Sequence, residues 1–145
     1  MANKSSHSVW ECKYHLVWIP KCRRKVIYGK LRVHIGKILR QLCEYKGIEI
    51  IEATSCSDHI HMCVSIPPKY SVSSIVGYLK GKSALMIFEK FSKLRRNFRG
   101  YQFWARGYYV STVGLDELIV KRYIRNQNDS DNLADQGRAP MIDPF

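Results

Sequence analysis

The 145-residue chain has the length of one domain, and its hydrophobic content of 46% is that of a globular rather than a disordered protein. It has no apolar run long enough to cross a bilayer and no apolar leader, and its five cysteines form no CxxC pair. These features argue against a membrane span, a disulfide scaffold and a zinc ribbon, and they favour a cytoplasmic protein. The net charge of +12, from 24 basic and 12 acidic residues, favours a polyanionic partner, of which nucleic acid is the commonest in a cytosol.

The first half of the chain contains patterns for three strands and one helix. Residues Trp10–Ile19 are rich in aromatic and β-branched side chains, which predicts a strand that ends at Pro20. Helical spacing of apolar residues predicts a helix over Arg32–Tyr45, with Gly47 as its stop. Two further strands, Ile48–Ala53 and His59–Ile66, follow so closely that an antiparallel hairpin is expected.

The second half predicts helix, strand and helix. A long helix is expected over Ser71–Phe91 with Ser71 as its N-cap, a last strand over Phe103–Val113, and a final helix over Asp116–Gln127. The first six elements form the βαββαβ pattern of a ferredoxin-like or RRM-like fold, an α+β antiparallel sheet with helices on one face. The expected organisation is one domain over residues 1–127 and a polar acidic tail over residues 128–145.

The basic residues are concentrated in two segments. Pro20–Lys37 contains seven basic residues and no acidic one, and Lys80–Arg106 contains eight basic residues against Glu89 alone. Because the acidic tail holds four aspartates and one arginine, residues 1–127 carry 23 basic and 8 acidic groups, a net charge of +15. At this density, with aromatic residues interleaved, a nucleic-acid surface is favoured over a merely solubilising one.

The stretch Asp58–Pro68 contains two histidines separated by one isoleucine. On a strand, His59 and His61 would point to one face while Ile60 and Met62 point to the core. Two imidazoles at this spacing can reach one metal ion, although HxH also occurs by chance in core strands. Asp58 could orient one imidazole or cap the turn.

The final helix carries a second pair of functional side chains. Tyr123 and Gln127 stand four residues apart and therefore share one helix face. Two imidazoles and one amide oxygen would form a sparse, uncharged donor set with open positions, which suits Mg²⁺ or Mn²⁺. An isolated tyrosine would more simply be a half-buried helix residue.

The motifs DHIHM, RGYYVSTVG and YIRNQ together resemble the single-tyrosine HUH transposases of small insertion sequences, over about residues 8 to 127. The resemblance implies that Tyr123 is the nucleophile that attacks single-stranded DNA, forming a 5′-phosphotyrosine bond. It implies that His59, His61 and Gln127 hold Mg²⁺ or Mn²⁺ on the scissile phosphate. No base that activates Tyr123 is identified.

The resemblance also implies a homodimer that binds DNA hairpins near the ends of the element. In some members the tyrosine helix of one subunit completes the site of the other, and residues Gly107 to Asp116 would then be the connection. The candidate DNA-binding residues are Arg23, Arg24, Lys25, Lys80, Lys82, Arg95 and Arg96. The alternatives are an HUH replication initiator or relaxase, which is usually a larger protein, and a non-catalytic nucleic-acid-binding module of ferredoxin-like fold.

Overall fold

A computed structural model describes residues 3–4, 9–21, 25–98, 102–112, 114 and 116–135. The elements in chain order are β1 (Asn3–Lys4), β2 (Val9–Trp10), β3 (Lys13–Trp18), α1 (Gly29–Tyr45), β4 (Glu49–Ser55), β5 (Ile60–Ser65), α2 (Val72–Lys90), a 3-10 helix (Ser92–Asn97), β6 (Tyr109–Ser111) and α3 (Glu117–Asp135). No helix among these residues is both long and apolar enough to span a bilayer.

The main sheet has four strands in the order β4-β5-β3-β6, and every neighbouring pair is antiparallel. Each β-α-β connection therefore passes over an intervening strand, as the βαββαβ pattern requires. The predicted ferredoxin-like fold is confirmed. The short β1–β2 ribbon was not predicted from the sequence.

Local signals explain where α1 and α2 begin and end. Gly47 adopts a left-handed φ of 70°, and the amides of Gly47 and Ile48 bond back to the carbonyls of Glu44 and Cys43, which is a Schellman ending. The Ser71 hydroxyl accepts a hydrogen bond from the Ser74 amide at 3.1 Å. The predicted stop of α1 and the predicted cap of α2 are therefore confirmed.

The core lies between α1, α2 and one face of the sheet. Cross-strand register pairs Leu16 with Met62 and Trp18 with Ile60, and all four side chains are fully buried in this layer. Cys43 of α1 lies in the same core, where burial raises the pKa of its thiol to about 12. Cys43 is therefore a small core residue rather than a reactive thiol.

The last strand is shorter than predicted. Of the predicted strand Phe103–Val113, Val113 lies outside the described residues, and within 103–112 the strand is Tyr109–Ser111 alone. Trp104 makes an isolated bridge to Pro20. Gly107, with a φ of 77°, interrupts the extended backbone between them, because a left-handed residue cannot continue a strand.

The last helix is longer than predicted. Helix α3 continues from the predicted end at Gln127 to Asp135, so the first part of the predicted tail is helical. The aspartates and asparagines of this segment are weak helix formers but not helix breakers, and the first glycine comes only at Gly137. Residues 136–145 lie outside the described part of the chain.

Candidate active site

The face of the sheet opposite the helices carries the candidate site. Cross-strand pairing aligns Thr54, His61, Val17 and Tyr109 in one row across all four strands. Directly opposed residues share a face, so the row lies on the side away from the core residues Ile60 and Met62. With strands about 4.8 Å apart, Tyr109 lies about 10 Å from His61 along this row.

His59 stands just before β5, in the turn, rather than on the strand as predicted. The turn is fixed by a hydrogen bond from the Cys56 amide to the His59 carbonyl at 2.9 Å. The imidazole Nδ1 of His59 lies 2.8 Å from a carboxylate oxygen of Asp58, and both side chains are partly buried. A carboxylate at Nδ1 orients the ring and leaves Nε2 for a ligand.

His61 has a neighbour that the sequence did not single out. Nδ1 of His15, on β3, lies 3.4 Å from Nε2 of His61, and the two rings are stacked with centroids 5.6 Å apart. Burial, and next the charge of His15, lower the pKa of His61 below its ordinary value. His61 is therefore a neutral imidazole at neutral pH, which is the form that binds metal ions.

Helix α3 brings Tyr123 and Gln127 together on one face. The Gln127 Nε2 group donates to the Tyr123 hydroxyl at 3.3 Å and to the backbone carbonyl of Arg106 at 2.5 Å. The Tyr123 ring packs on Tyr109 with centroids 6.1 Å apart. Because Tyr109 belongs to the row that contains His61, Tyr123 lies against the histidine-bearing face of the sheet.

The three predicted metal ligands share one property. Each has one polar atom held by the protein and another left for a ligand: Nδ1 of His59 by Asp58, Nε2 of His61 by His15, and Nε2 of Gln127 by a backbone carbonyl. Within the described residues, no group of three or more His, Cys, Asp or Glu side chains could hold a metal ion by itself. By donor type, two imidazoles and one amide oxygen would suit an ion that takes its remaining ligands from outside oxygens.

Residues 8–127 match the family described as IS200-like transposase. The chain is 50% identical over 135 residues to the transposase for insertion sequence element IS200 of Salmonella typhimurium, an alignment that covers 93% of this chain and 89% of the relative. The chain belongs to the IS200-like transposase family. The ISDra2 transposase TnpA of Deinococcus radiodurans is 30% identical, with 85% of this chain and 89% of the relative aligned.

Solved structures of transposases show the same fold. A Deinococcus radiodurans R1 crystal structure described as a transposase superposes with a TM-score of 0.80 at 28% identity, covering 86% of this chain and 97% of that one. A REP-associated tyrosine transposase bound to a REP hairpin gives a TM-score of 0.54 at 14% identity, over 94% of this chain and 75% of that one. The family membership favours a transposase over the replication-initiator alternative.

The predicted DNA-binding residues of this transposase family member fall into three groups. Lys25 and Lys82 are exposed. Lys80 is partly buried, and its ammonium group donates to two backbone carbonyls, those of Ala105 and Gly107, at 2.7 Å each. Arg23 and Arg24 lie outside the described residues, as do the side chains of Arg95 and Arg96.

A basic groove was not identified from the sequence. A cavity of about 780 Å³ lies between α1 and the end of α2 and includes three lysines. Its lining residues are Gly29, Lys30, Val33, His34, Lys37, Lys90 and Phe91. Burial, Lys90 and Lys37 together lower the pKa of His34. The basic segment Pro20–Lys37 indicated part of this surface, but Lys90 joins it only through the packing of α2 on α1.

Proposed function

We propose that this IS200-like transposase cleaves and rejoins single-stranded DNA at the ends of an insertion sequence, with Tyr123 as its nucleophile. The observation that carries the proposal is the pairing of Tyr123 with Gln127 on one helix face, packed against the strand row that contains His61. A tyrosine on a helix is common. Tyr123, however, has the Gln127 amide at its hydroxyl and the histidine-bearing face of the sheet beside its ring, which are the surroundings of a catalytic group.

The proposed reaction is a transesterification, in which a phosphodiester of the DNA is exchanged for a phosphotyrosine ester. The Tyr123 hydroxyl oxygen attacks the scissile phosphorus and forms a tyrosyl ester with the 5′-phosphate. The bond from phosphorus to the 3′-oxygen breaks, and the proton lost from tyrosine is matched by the proton gained at the departing 3′-hydroxyl. The Gln127 Nε2 group, which donates to the Tyr123 oxygen, stabilises negative charge there during attack. In the reverse reaction, a new 3′-hydroxyl attacks the same phosphorus and the Tyr123 oxygen leaves, so the DNA is rejoined without ATP.

His59, His61 and Gln127 are the residues that would hold a divalent ion, Mg²⁺ or Mn²⁺. Such an ion would supply polarisation of the scissile phosphate. Asp58 and His15 would keep the two imidazoles oriented, and burial lowers the pKa of His61, which favours the neutral ring that binds a metal ion.

The proposed DNA partner is single-stranded DNA that carries hairpins. One structural neighbour is a transposase bound to a REP hairpin, and the strong positive charge of residues 1–127 suits the same kind of ligand. The groove with Lys30, Lys37 and Lys90 offers phosphate contacts in addition to exposed Lys25 and Lys82. Neutralising one phosphate contact is expected to reduce the salt dependence of binding by about one unit of slope.

A homodimer is the proposed assembly. Leu118 and Ile119, at the start of α3, are 71% and 42% exposed, and Val110 on the edge strand β6 is 41% exposed. Exposed apolar side chains and a strand at the edge of the main sheet both favour association with another chain. Light scattering of the purified protein checks this, with Leu118→Asp expected to shift a dimer toward monomer.

The experiment that tests the nucleophile uses labelled single-stranded DNA containing hairpins from the element's ends, with Mn²⁺ present. The wild-type protein is expected to form a covalent adduct that survives SDS, and Tyr123→Phe to form none. Tyr109→Phe is the matched control, because it removes a neighbouring hydroxyl while keeping the ring that packs on Tyr123. An adduct that persists in Tyr123→Phe would refute the assignment.

A further inference from the structure

Helix α2 carries two polar residues on its buried stripe. Val76, Lys80, Ser83 and Ile87 are spaced so that they share one side of the helix, and Val76, Ser83 and Ile87 are each at most 1% exposed. A lysine in such a position must find hydrogen-bond acceptors, because burying an unpaired ammonium group is costly.

The acceptors belong to the segment between the Trp104 bridge and strand β6. The Lys80 ammonium group donates to the carbonyls of Ala105 and Gly107, each at 2.7 Å, and the Ser83 hydroxyl accepts from the indole N–H of Trp104 at 2.8 Å. Gly107 within this segment is buried and has a φ of 77°. Glycine adopts positive and negative φ about equally readily, so contacts are needed to hold it in this one conformation. Lys80 and Ser83 thus fix the path of residues 104–107.

In the sequence, Arg106 lies between Ala105 and Gly107, whose carbonyls accept from Lys80. The Arg106 carbonyl accepts a hydrogen bond from Gln127 Nε2. The orientation of the Gln127 amide therefore depends on a backbone segment that Lys80 holds. An amide side chain can rotate to exchange its oxygen and nitrogen, so a fixed acceptor at Nε2 decides which way Oε1 points.

We propose that Lys80 is a positioning residue for Gln127 rather than a DNA contact. It acts through the backbone of residues 105–107, whose Arg106 carbonyl holds the Gln127 amide with its oxygen available to an ion. The positioning role follows from the hydrogen bonds of Lys80 and Gln127 to residues 105–107, whereas the consequence for metal binding rests on the proposed function of Gln127.

The primary test reads the Gln127 side chain directly by NMR. The side-chain amide resonances of Gln127 are assigned by their loss in Gln127→Ala and compared in Lys80→Met. Lys82→Met is the matched control, since Lys82 is exposed two residues further along the same helix. In the wild type and in Lys82→Met, the resonances are expected to lie away from those of a solvated glutamine. In Lys80→Met they are expected to move to the solvated positions.

The second readout is Mn²⁺ affinity, measured from the electron paramagnetic resonance signal of free Mn²⁺ without DNA. Loss of a supporting contact commonly weakens metal binding by about 10-fold or more, so Lys80→Met is expected to weaken it about 10-fold and Lys82→Met not at all. DNA affinity in the absence of metal is expected to be unchanged in Lys80→Met, because the ammonium group faces backbone carbonyls.

The outcomes separate the two claims. A folded Lys80→Met protein whose Gln127 resonances coincide with those of the wild type overturns the positioning role, whatever its metal affinity. If those resonances move while Gln127→Ala binds Mn²⁺ as tightly as the wild type, the positioning role stands and the ligand role of Gln127 fails. Should Lys80→Met not fold, Lys80→Ala is measured in the same way, since it also removes the donor, and unchanged Gln127 resonances there overturn the inference.

Discussion

Nδ1 of His15 and Nε2 of His61 lie 3.4 Å apart on neighbouring strands, with their rings stacked. His15 thus contacts one ring nitrogen of His61 and leaves the other for a ligand. Asp58 does the same for His59. The two candidate ligands are therefore oriented by different residue types. His15 becomes part of the site through the register of β3 against β5.

Replacing His15 with phenylalanine is expected to keep the stacked ring but remove its nitrogen. His61 then loses its orienting partner, and Mn²⁺ affinity is expected to fall about 10-fold, as for other residues that support a metal ligand. Calorimetric titration of Mn²⁺ checks this, with His34→Phe as the control because His34 lies in the α1–α2 groove. Equal Mn²⁺ affinity in His15→Phe and the wild type would rule out the orienting role.

The two buried tryptophans of the core differ in one hydrogen bond. Trp18 and Trp104 pack edge to face with centroids 6.0 Å apart. The indole N–H of Trp104 donates to Ser83, whereas that of Trp18 is the one buried side-chain polar atom without a partner in the described part of the chain. Trp104→Phe removes a buried hydrogen bond, whereas Trp18→Phe removes a buried N–H group that has no partner. Trp104→Phe is therefore expected to lower the free energy of unfolding by about 1–3 kcal/mol more than Trp18→Phe does. Urea unfolding of both variants measures the difference, and the reverse order would contradict the hydrogen-bond assignment.

His34 makes stability depend on pH in a definite direction. Its pKa is lowered in the folded protein by burial and by the charges of Lys90 and Lys37, so the unfolded chain takes up a proton first as pH falls. Stability is expected to be unaffected by His34 well above pH 7. It is expected to fall as pH drops through the ordinary histidine value of about 6.5, and the loss levels off below the lowered value.

Thermal unfolding between pH 8 and pH 5 tests this direction in the wild type and in His34→Gln. The variant is expected to lose less stability over the range, although not to lose all pH dependence, since the pKa of His61 is lowered as well. A variant with the same pH profile as the wild type would exclude His34 as a contributor.

Two glycines are expected to respond to alanine in opposite ways. A Cβ at Gly81, inside α2, meets open space and relieves the helix of a flexible residue, so Gly81→Ala is expected to stabilise by about 1 kcal/mol. A Cβ at Gly47 also meets open space, but the φ of 70° is left-handed, and Gly47→Ala is expected to destabilise by about 1–2 kcal/mol. Chemical denaturation measures both, and a stabilising Gly47→Ala would be inconsistent with the Schellman ending.

Much of the fold was predictable because its signals are local. The Ser71 cap, the Gly47 stop and the alternation of Ile60 and Met62 against His61 each depend on a few neighbouring residues. The shortened β6 was not predicted, since a single glycine, Gly107, is compatible with either a strand or a turn until its backbone is seen.

The site was predictable only where its residues stand close in sequence. His59 and His61 form one short motif, and Tyr123 and Gln127 form another. His15 could be placed only by cross-strand register. The helical spacing of Lys80 with Val76 and Ser83 was a usable signal for its burial, but the basic composition of the segment favoured a surface cation instead.

Tyr123 is proposed to take the 5′-phosphate of the cleaved DNA. The most direct measurement uses two copies of one single-stranded substrate, labelled either upstream or downstream of the cut, followed by mass spectrometry of the protein–DNA peptide. The downstream fragment is expected to become attached, through its 5′-phosphate, to the peptide containing Tyr123, while the upstream fragment is released with a free 3′-hydroxyl. Attachment of the upstream fragment, or attachment at a residue other than Tyr123, would contradict this assignment.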